Sequence, residues 1–199
     1  MTALAGLAAV YLGAAAFLTC REPAAPADAV VLFIGPEYAE RRKEARQLVE
    51  KGYADILLVP ALRSALVMAD GRLVKDPFYM PAPFDRNQYP AWYENTHIEA
   101  LEARKMMENL GLTSAILVSS PYHMRRIRII AGQVFSHEQY RLAFRGSSHV
   151  APGRFPAQFT RTMMRRVVGE YIKIGWFYGY SVYELWGSRR NKSKSANDG

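Results

Sequence analysis

Along the chain, short unbroken apolar runs alternate with longer stretches of helical period. Residues 27–35 (ADAVVLFIG), 54–60 (ADILLVP) and 114–120 (SAILVSS) are strand-length apolar runs closed by Gly, Pro or Ser, the pattern of strands buried on both faces of a parallel sheet. A weaker run, 140–146 (YRLAFRG), predicts a fourth strand. Between them the spacing predicts helices over 38–51 and 95–110, stopped by Gly52 and Gly111, and a third from Pro121 to about Val134. Thr96 and Glu99 have the T-x-x-E spacing of a capping box at the start of the second of these helices. From about Pro156 to Trp186 the sequence is again helical and rich in aromatics.

Strand and helix therefore alternate, the signature of an α/β fold: a Rossmann-like open parallel sheet with flanking helices and right-handed crossovers. Ligands of such sheets sit outside the carboxyl ends of the strands, where strand order reverses. That places the candidate site at Gly35-Pro36-Glu37, Pro60-Ala61, Asn95-Thr96 and the stretch from Ser119 to Arg126.

Two segments stand outside the alternation. Met1 through Leu18 carries no charged side chain, and 1–20 is expected to be a single transmembrane anchor, with 21–27 as a Pro/Ala spacer. The competing expectation is a cleaved signal peptide, because Ala25-Pro26-Ala27 has the small-x-small form of a cleavage site. The second segment, 61–94, has no convincing period and is expected to be a long aromatic loop inserted in the α/β domain of 28–187. Its Phe78, Tyr79, Phe84, Tyr89, Trp92 and Tyr93 can form a lid over a ligand or fill core space. Residues 188–199 read as a disordered basic tail.

Composition narrows the partner. The net charge of +8 over 199 residues asks for something acidic: nucleic acid, a phosphorylated metabolite or an anionic lipid surface. No nucleic-acid-binding motif is present, so that class is set aside. A single cysteine, Cys20, rules out an internal disulfide and a cysteine-based zinc site, and no metal or other cofactor is expected. Trp176, Phe177, Tyr178, Tyr180, Tyr183 and Trp186, flanked by Arg165, Arg166, Lys173, Arg189 and Arg190, suit either an interfacial helix on anionic lipid or a helix packed on the sheet.

The candidate chemistry lies in the turn after the third apolar run. With Ser120 as N-cap and Pro121 in the first helical position, Tyr122, His123 and Met124 would offer free N–H groups at the positive end of a helix dipole. His123 and Arg126, three apart, share a helix face, so a phosphate there would meet an imidazole and a guanidinium together. An ordinary Ser-Pro helix opening with a solvated basic face is the alternative. Glu99 is expected to act chiefly as a cap and secondarily as a catalytic carboxylate. Glu37 is expected either to accept from a ligand hydroxyl or to cap the following helix.

The stretches GYADILLV, ENTHIEALEARKMM and ILVSSPYHMRRIRII resemble the YdcF/SanA/ElyC family. The Y-H-M-x-R of that family's turn falls on Tyr122, His123, Met124 and Arg126, and its R-x-x-x-A-x-x-L-x-x-x-G pattern on Arg41, Ala45, Leu48 and Gly52. The resemblance covers roughly Asp28 to Val134. It implies a Rossmann-like fold, often behind a membrane anchor, and an association with the bacterial envelope and peptidoglycan precursor metabolism. In one branch it implies binding of S-adenosylmethionine. The chain departs from the family where FIGPEY has only Gly35, where Val59-Pro60-Ala61 replaces Ser-Gly-Gly, and where Ile98 and Glu99 replace glutamate and asparagine.

These readings combine into one expectation: a single-pass inner-membrane protein with an extracytoplasmic domain that binds a phosphorylated small molecule or lipid-linked precursor. His123, Arg126 and Glu99 would be its catalytic groups. Gly35, Glu37, Arg41, Asn95, Thr96, Ser119, Ser120 and Tyr122 would bind the ligand. Phosphoester hydrolysis is the reaction class expected, against a non-catalytic binding or assembly factor of the envelope.

Overall fold

The computed structural model describes the backbone of residues 2–150 and 160–195, and the side chains of 5–150 and 160–186. The fold is α/β, with a six-stranded sheet in the order β4-β3-β2-β1-β5-β6. The strands are β1 (Ala29–Leu32), β2 (Ile56–Val59), β3 (Ser64–Ala69), β4 (Arg72–Lys75), β5 (Ser114–Ser119) and β6 (Arg141–Gly146). Strands β2, β1, β5 and β6 run parallel, with Ala29 opposite Ile56 on one side and Ala115 on the other. Their apolar runs are unbroken because both faces are covered. Val30, Leu32, Leu57, Val59, Ile116 and Val118 point to α2 (Tyr38–Glu50), where they meet Ala45, Leu48 and Val49. Alternate residues Ala29, Val31, Leu58, Ala115 and Leu117 point the other way, to α3 (Asn95–Asn109), α4 (Met124–Val134) and α5 (Arg161–Ser195).

The sheet is mixed, which the sequence reading did not anticipate. The expected loop 61–94 begins as a hairpin: β3 pairs antiparallel with β2, and β4 with β3. Its turn is Asp70-Gly71, with φ of 49° and 72°, the left-handed pair that a two-residue hairpin needs. The Asp-Gly signal was present in the sequence, but the surrounding aromatics and prolines masked it.

The expected anchor segment is helical. α1 (Thr2–Leu18) is a helix of 17 residues, and no helix among the described residues is long and apolar enough to cross a membrane. Leu18 is fully buried against Val167 and Ile174, so the end of α1 docks on α5. Residues 188–195 continue α5 as helix, although the tail was expected to be disordered. The expected start of that helix at 156 and the last residues, 196–199, lie outside the described residues.

From β1 the chain crosses over to β2 on one side, and from β5 to β6 on the other. Strand order therefore reverses between β1 and β5, and a crevice opens where their carboxyl ends diverge.

Candidate functional site

A cavity of about 460 Å³ occupies that crevice. Of the residues singled out in the sequence, Gly35, Arg41, Asn95, Thr96, Glu99, Ser119, His123 and Arg126 line it. The other three, Glu37, Ser120 and Tyr122, stand behind it as a bonded group. Ser120 Oγ and Tyr122 Oη both donate to Glu37 Oε2, and Arg41 Nε donates to Ser120 Oγ at 2.8 Å. Glu37 adopts the left-handed conformation, φ 56°, at the tip of the β1–α2 loop, where it also pairs with Arg166 of α5. It acts neither as a side-chain cap nor as a lining group. Burial pushes its carboxyl up, but the Tyr122 and Ser120 hydroxyls and the nearby arginines outweigh that and hold it below the usual range.

Arg41 is almost wholly buried. Its Nη1 donates to the carbonyls of Ile34 at 2.9 Å and Phe33 at 3.3 Å, which pins the β1 loop. A Cβ on Gly35 would lie 2.9 Å from that nitrogen, so the absence of a side chain there lets the guanidinium approach the loop. Arg41 Nη2 has no hydrogen-bond partner, and neither does the buried Ser119 Oγ. Both residues border the cavity.

The turn after β5 differs from the expected helix start. Residues Pro121–His123 form a 3-10 turn, with His123 N–H donating to Ser120 O and Met124 N–H to Pro121 O. Those two amides are therefore not available to an anion. The turn is clamped against β6, because a Cβ on Gly146 would come within 2.8 Å of Pro121 Cα.

His123 is held instead by a residue the sequence reading missed. Glu170 of α5, 2 % exposed, places Oε1 2.9 Å from His123 Nδ1, and Arg126 Nε donates to its Oε2 at 2.7 Å. Arg126 Nη2 also lies 3.3 Å from His123 Nδ1. Nδ1 cannot both accept from Arg126 and donate to a carboxylate; the closer contact is to Glu170, so the Nδ1–H donates to its Oε1 and the lone pair lies on Nε2. Burial lowers the His123 pKa and outweighs the pull of Glu170, so the imidazole is neutral near neutral pH. Burial also opposes the charge on Glu170, but the bonds from His123 and Arg126 prevail and bring its carboxyl down to about 2. A signal was there to find: Glu170 is the sole acidic residue between Arg161 and Tyr183.

Arg126 is more committed than its position in the sequence suggested. Besides Glu170 it meets Glu94 Oε2 at 2.9 Å and donates to Thr96 Oγ1 at 2.7 Å. The capping box does not form. The N-cap of α3 is Glu94, with no side-chain cap, and Thr96 accepts from Arg126 instead of capping. Glu99 turns into the crevice, where Oε2 accepts from the Ile34 N–H at 3.0 Å. Burial pushes its carboxyl to about 7, against that bond and the charges of Arg41 and Arg126.

The rim includes groups from the aromatic segment and from α5. Phe84 and Arg86 line the cavity with Lys173. The Arg86 guanidinium donates to the carbonyls of Tyr89, Pro90, Ala91 and Tyr93, stapling the segment into shape without a carboxylate partner. Trp92 and Tyr93 reach Glu184 of α5, so this stretch is packed on the domain. His97 lies outside the crevice among Tyr93, Phe177 and Tyr180. Among the described residues, no group of three or more His, Cys, Asp or Glu is placed to hold a metal ion.

The site thus defines an α/β protein with an imidazole, His123, and a buried carboxyl, Glu99, on one crevice. No protein-family model matches this chain, and no curated protein or solved structure matches it either.

Proposed function

We propose that the crevice binds a phosphorylated metabolite, or the phosphate of a lipid-linked envelope precursor, and hydrolyses its phosphoester. One observation carries this reading: a neutral, carboxylate-oriented His123 and a Glu99 carboxyl at about 7 border the cavity that Arg41 and Ser119 also border, with Arg41 Nη2, 4.0 Å from Glu37 Oε2, and Ser119 Oγ both lacking a hydrogen-bond partner. Two titratable groups driven to opposite protonation states on one cavity are what general acid–base catalysis requires.

In this scheme Arg41 and Ser119 donate to phosphoryl oxygens. His123 Nε2 takes a proton from a water as the water oxygen bonds to phosphorus. The ester P–O bond breaks, and protonated Glu99 delivers its proton to the leaving oxygen. The imidazolium then releases its proton to solvent while Glu99 takes one up, which restores both groups. Glu170 holds the imidazole in the useful tautomer and steadies its transient charge. The envelope setting rests on the resemblance of the Tyr122-His123-Met124 turn to the YdcF/SanA/ElyC family.

A non-catalytic binding factor is the second reading, favoured by the way Arg126 is spent on Glu170, Glu94 and Thr96 rather than left for developing charge. Calorimetry with inorganic phosphate and turnover of p-nitrophenyl phosphate separate the two. Hydrolysis by the parent chain that falls about 10²–10⁴-fold in His123→Ala, with phosphate affinity retained, supports the enzyme. Phosphate binding without turnover of any phosphorylated envelope precursor supports the binder. Neither binding nor turnover removes both.

A further inference from the structure

α5 meets the domain through Val167, Glu170, Ile174, Phe177 and Ser181, spaced three or four apart and all buried. The same period puts Val168, Ile172, Gly175, Gly179, Val182 and Trp186 on the opposite, outward side. Val168, Ile172 and Trp186 are 56, 66 and 76 % exposed. A helix on a water-facing surface places its charges outward and its apolar stripe inward. Over this length α5 turns its charges inward beside its buried apolar residues and leaves a second apolar stripe outward. From Arg166 to Trp186 its charged side chains are Arg166, Glu170, Lys173 and Glu184, and each is bonded inward, to Glu37, His123 and Arg126, Glu170, and Trp92 and Tyr93. The outward strip is therefore uncharged for about 27 Å, taking about 1.5 Å per residue.

α1 widens the strip. It contains no charged residue, and it lies along α5 with Tyr171 Oη donating to Ala14 O at 3.0 Å and Phe17 stacked on Tyr171 at 6.3 Å. Leu7 and Val10 of α1 are exposed. An apolar surface of this extent calls for a covering partner, and the charges around it indicate which. Arg161 and Arg165 are exposed at the amino-terminal end of the strip, and the sequence of 187–195 is basic with no acidic residue. Exposed Trp176, Tyr183 and Trp186 have the amphipathic rings that settle at headgroup level.

We infer that the outward faces of α1 and α5 dock on the surface of an anionic lipid bilayer, lying in its interfacial plane. The apolar strip enters the acyl boundary, and Arg161 and Arg165 meet lipid phosphates. The docking stands independently of the crevice chemistry, although Glu170 on the inner side of the same helix brings the crevice close to the membrane.

Flotation of the full chain with vesicles of phosphatidylcholine, alone and mixed with phosphatidylglycerol, tests this. Two double variants accompany it: Val168→Glu with Ile172→Glu, and Arg161→Glu with Arg165→Glu. The parent should float with the anionic vesicles and shift its tryptophan emission to the blue. Each double variant should bind them at least about tenfold more weakly, because one replaces the cationic attraction to lipid phosphates with repulsion and the other puts charge into the acyl boundary. Thermal melts and phosphate binding measured on the same samples distinguish loss of docking from loss of the fold or failure of the crevice reading. Should the glutamate pair on the strip unfold the chain, the arginine pair still decides the matter. The inference is overturned if the parent ignores anionic vesicles or if folded variants bind as well as the parent. It is also overturned if the chain is a lipid-free dimer that Val168→Glu with Ile172→Glu dissociates, because a second copy then covers the strip.

Discussion

Two histidines, the buried His97 and the partly buried His123, sit near the starts of neighbouring helices and both reach α5 through Nδ1, one to Tyr180 Oη at 2.9 Å and the other to Glu170 Oε1 at 2.9 Å. Their surroundings diverge from there. His97 stacks on Tyr93 at 4.0 Å with Phe177 and Tyr180 around it, and burial brings its pKa down to about 4. His123 lines the crevice and keeps a carboxylate on Nδ1, which opposes the effect of burial. Burial alone therefore does not mark a functional histidine. A hydroxyl partner in an aromatic cluster makes a packing residue, whereas a carboxylate partner beside a cavity makes one that can accept and release a proton.

The largest separation is expected in turnover. His123→Ala should lower it by about 10²–10⁴-fold, whereas His97→Phe, measured in the same assay, should leave it within a factor of a few. Next comes the α5 partner of each ring. Glu170→Ala strips a buried carboxylate from His123 and Arg126 and should cost about 3–5 kcal/mol in urea unfolding. Tyr180→Phe removes only the hydroxyl on His97 and should cost about 0.5–1.5 kcal/mol.

The pH dependences sharpen the contrast. Turnover should fall above about pH 7, where raised Glu99 gives up the proton it donates, and below the lowered pKa of His123, where the base is already charged. Glu99→Gln should abolish the alkaline limb along with most of the activity. For His97 the sign concerns stability. Its folded pKa of about 4 lies below the ordinary 6.5, so the unfolded chain binds the proton first and the contribution is lost as pH falls from 6.5 towards 4. His97→Phe should flatten that part of the melting-temperature profile.

Much of the crevice was legible because it is built from strand ends. Glycine, proline and serine closing unbroken apolar runs located Gly35, Ser119 and His123, and strand-order reversal put them together. Roles were less legible than places. Glu99 has the spacing of a cap, yet the Ile34 amide one loop away takes its carboxylate. Arg126 was expected to face a ligand, but Glu94 and Glu170 arrive from other helices to claim it. Glu170 is 47 residues from His123 in the chain, and no local period links them.

By itself, the sequence determined the alternation of strands and helices, the place of the carboxyl-end crevice and the presence of a basic, aromatic last helix, because these follow from side-chain periodicity and chain reversal within a few residues. Only the tertiary structure decided which side of α5 faces inward, that its one central carboxylate meets the imidazole, and that α1 ends against α5. Those outcomes depend on desolvating pairs of groups far apart in the chain, and the energy of such a pair does not exist until the fold brings its members together.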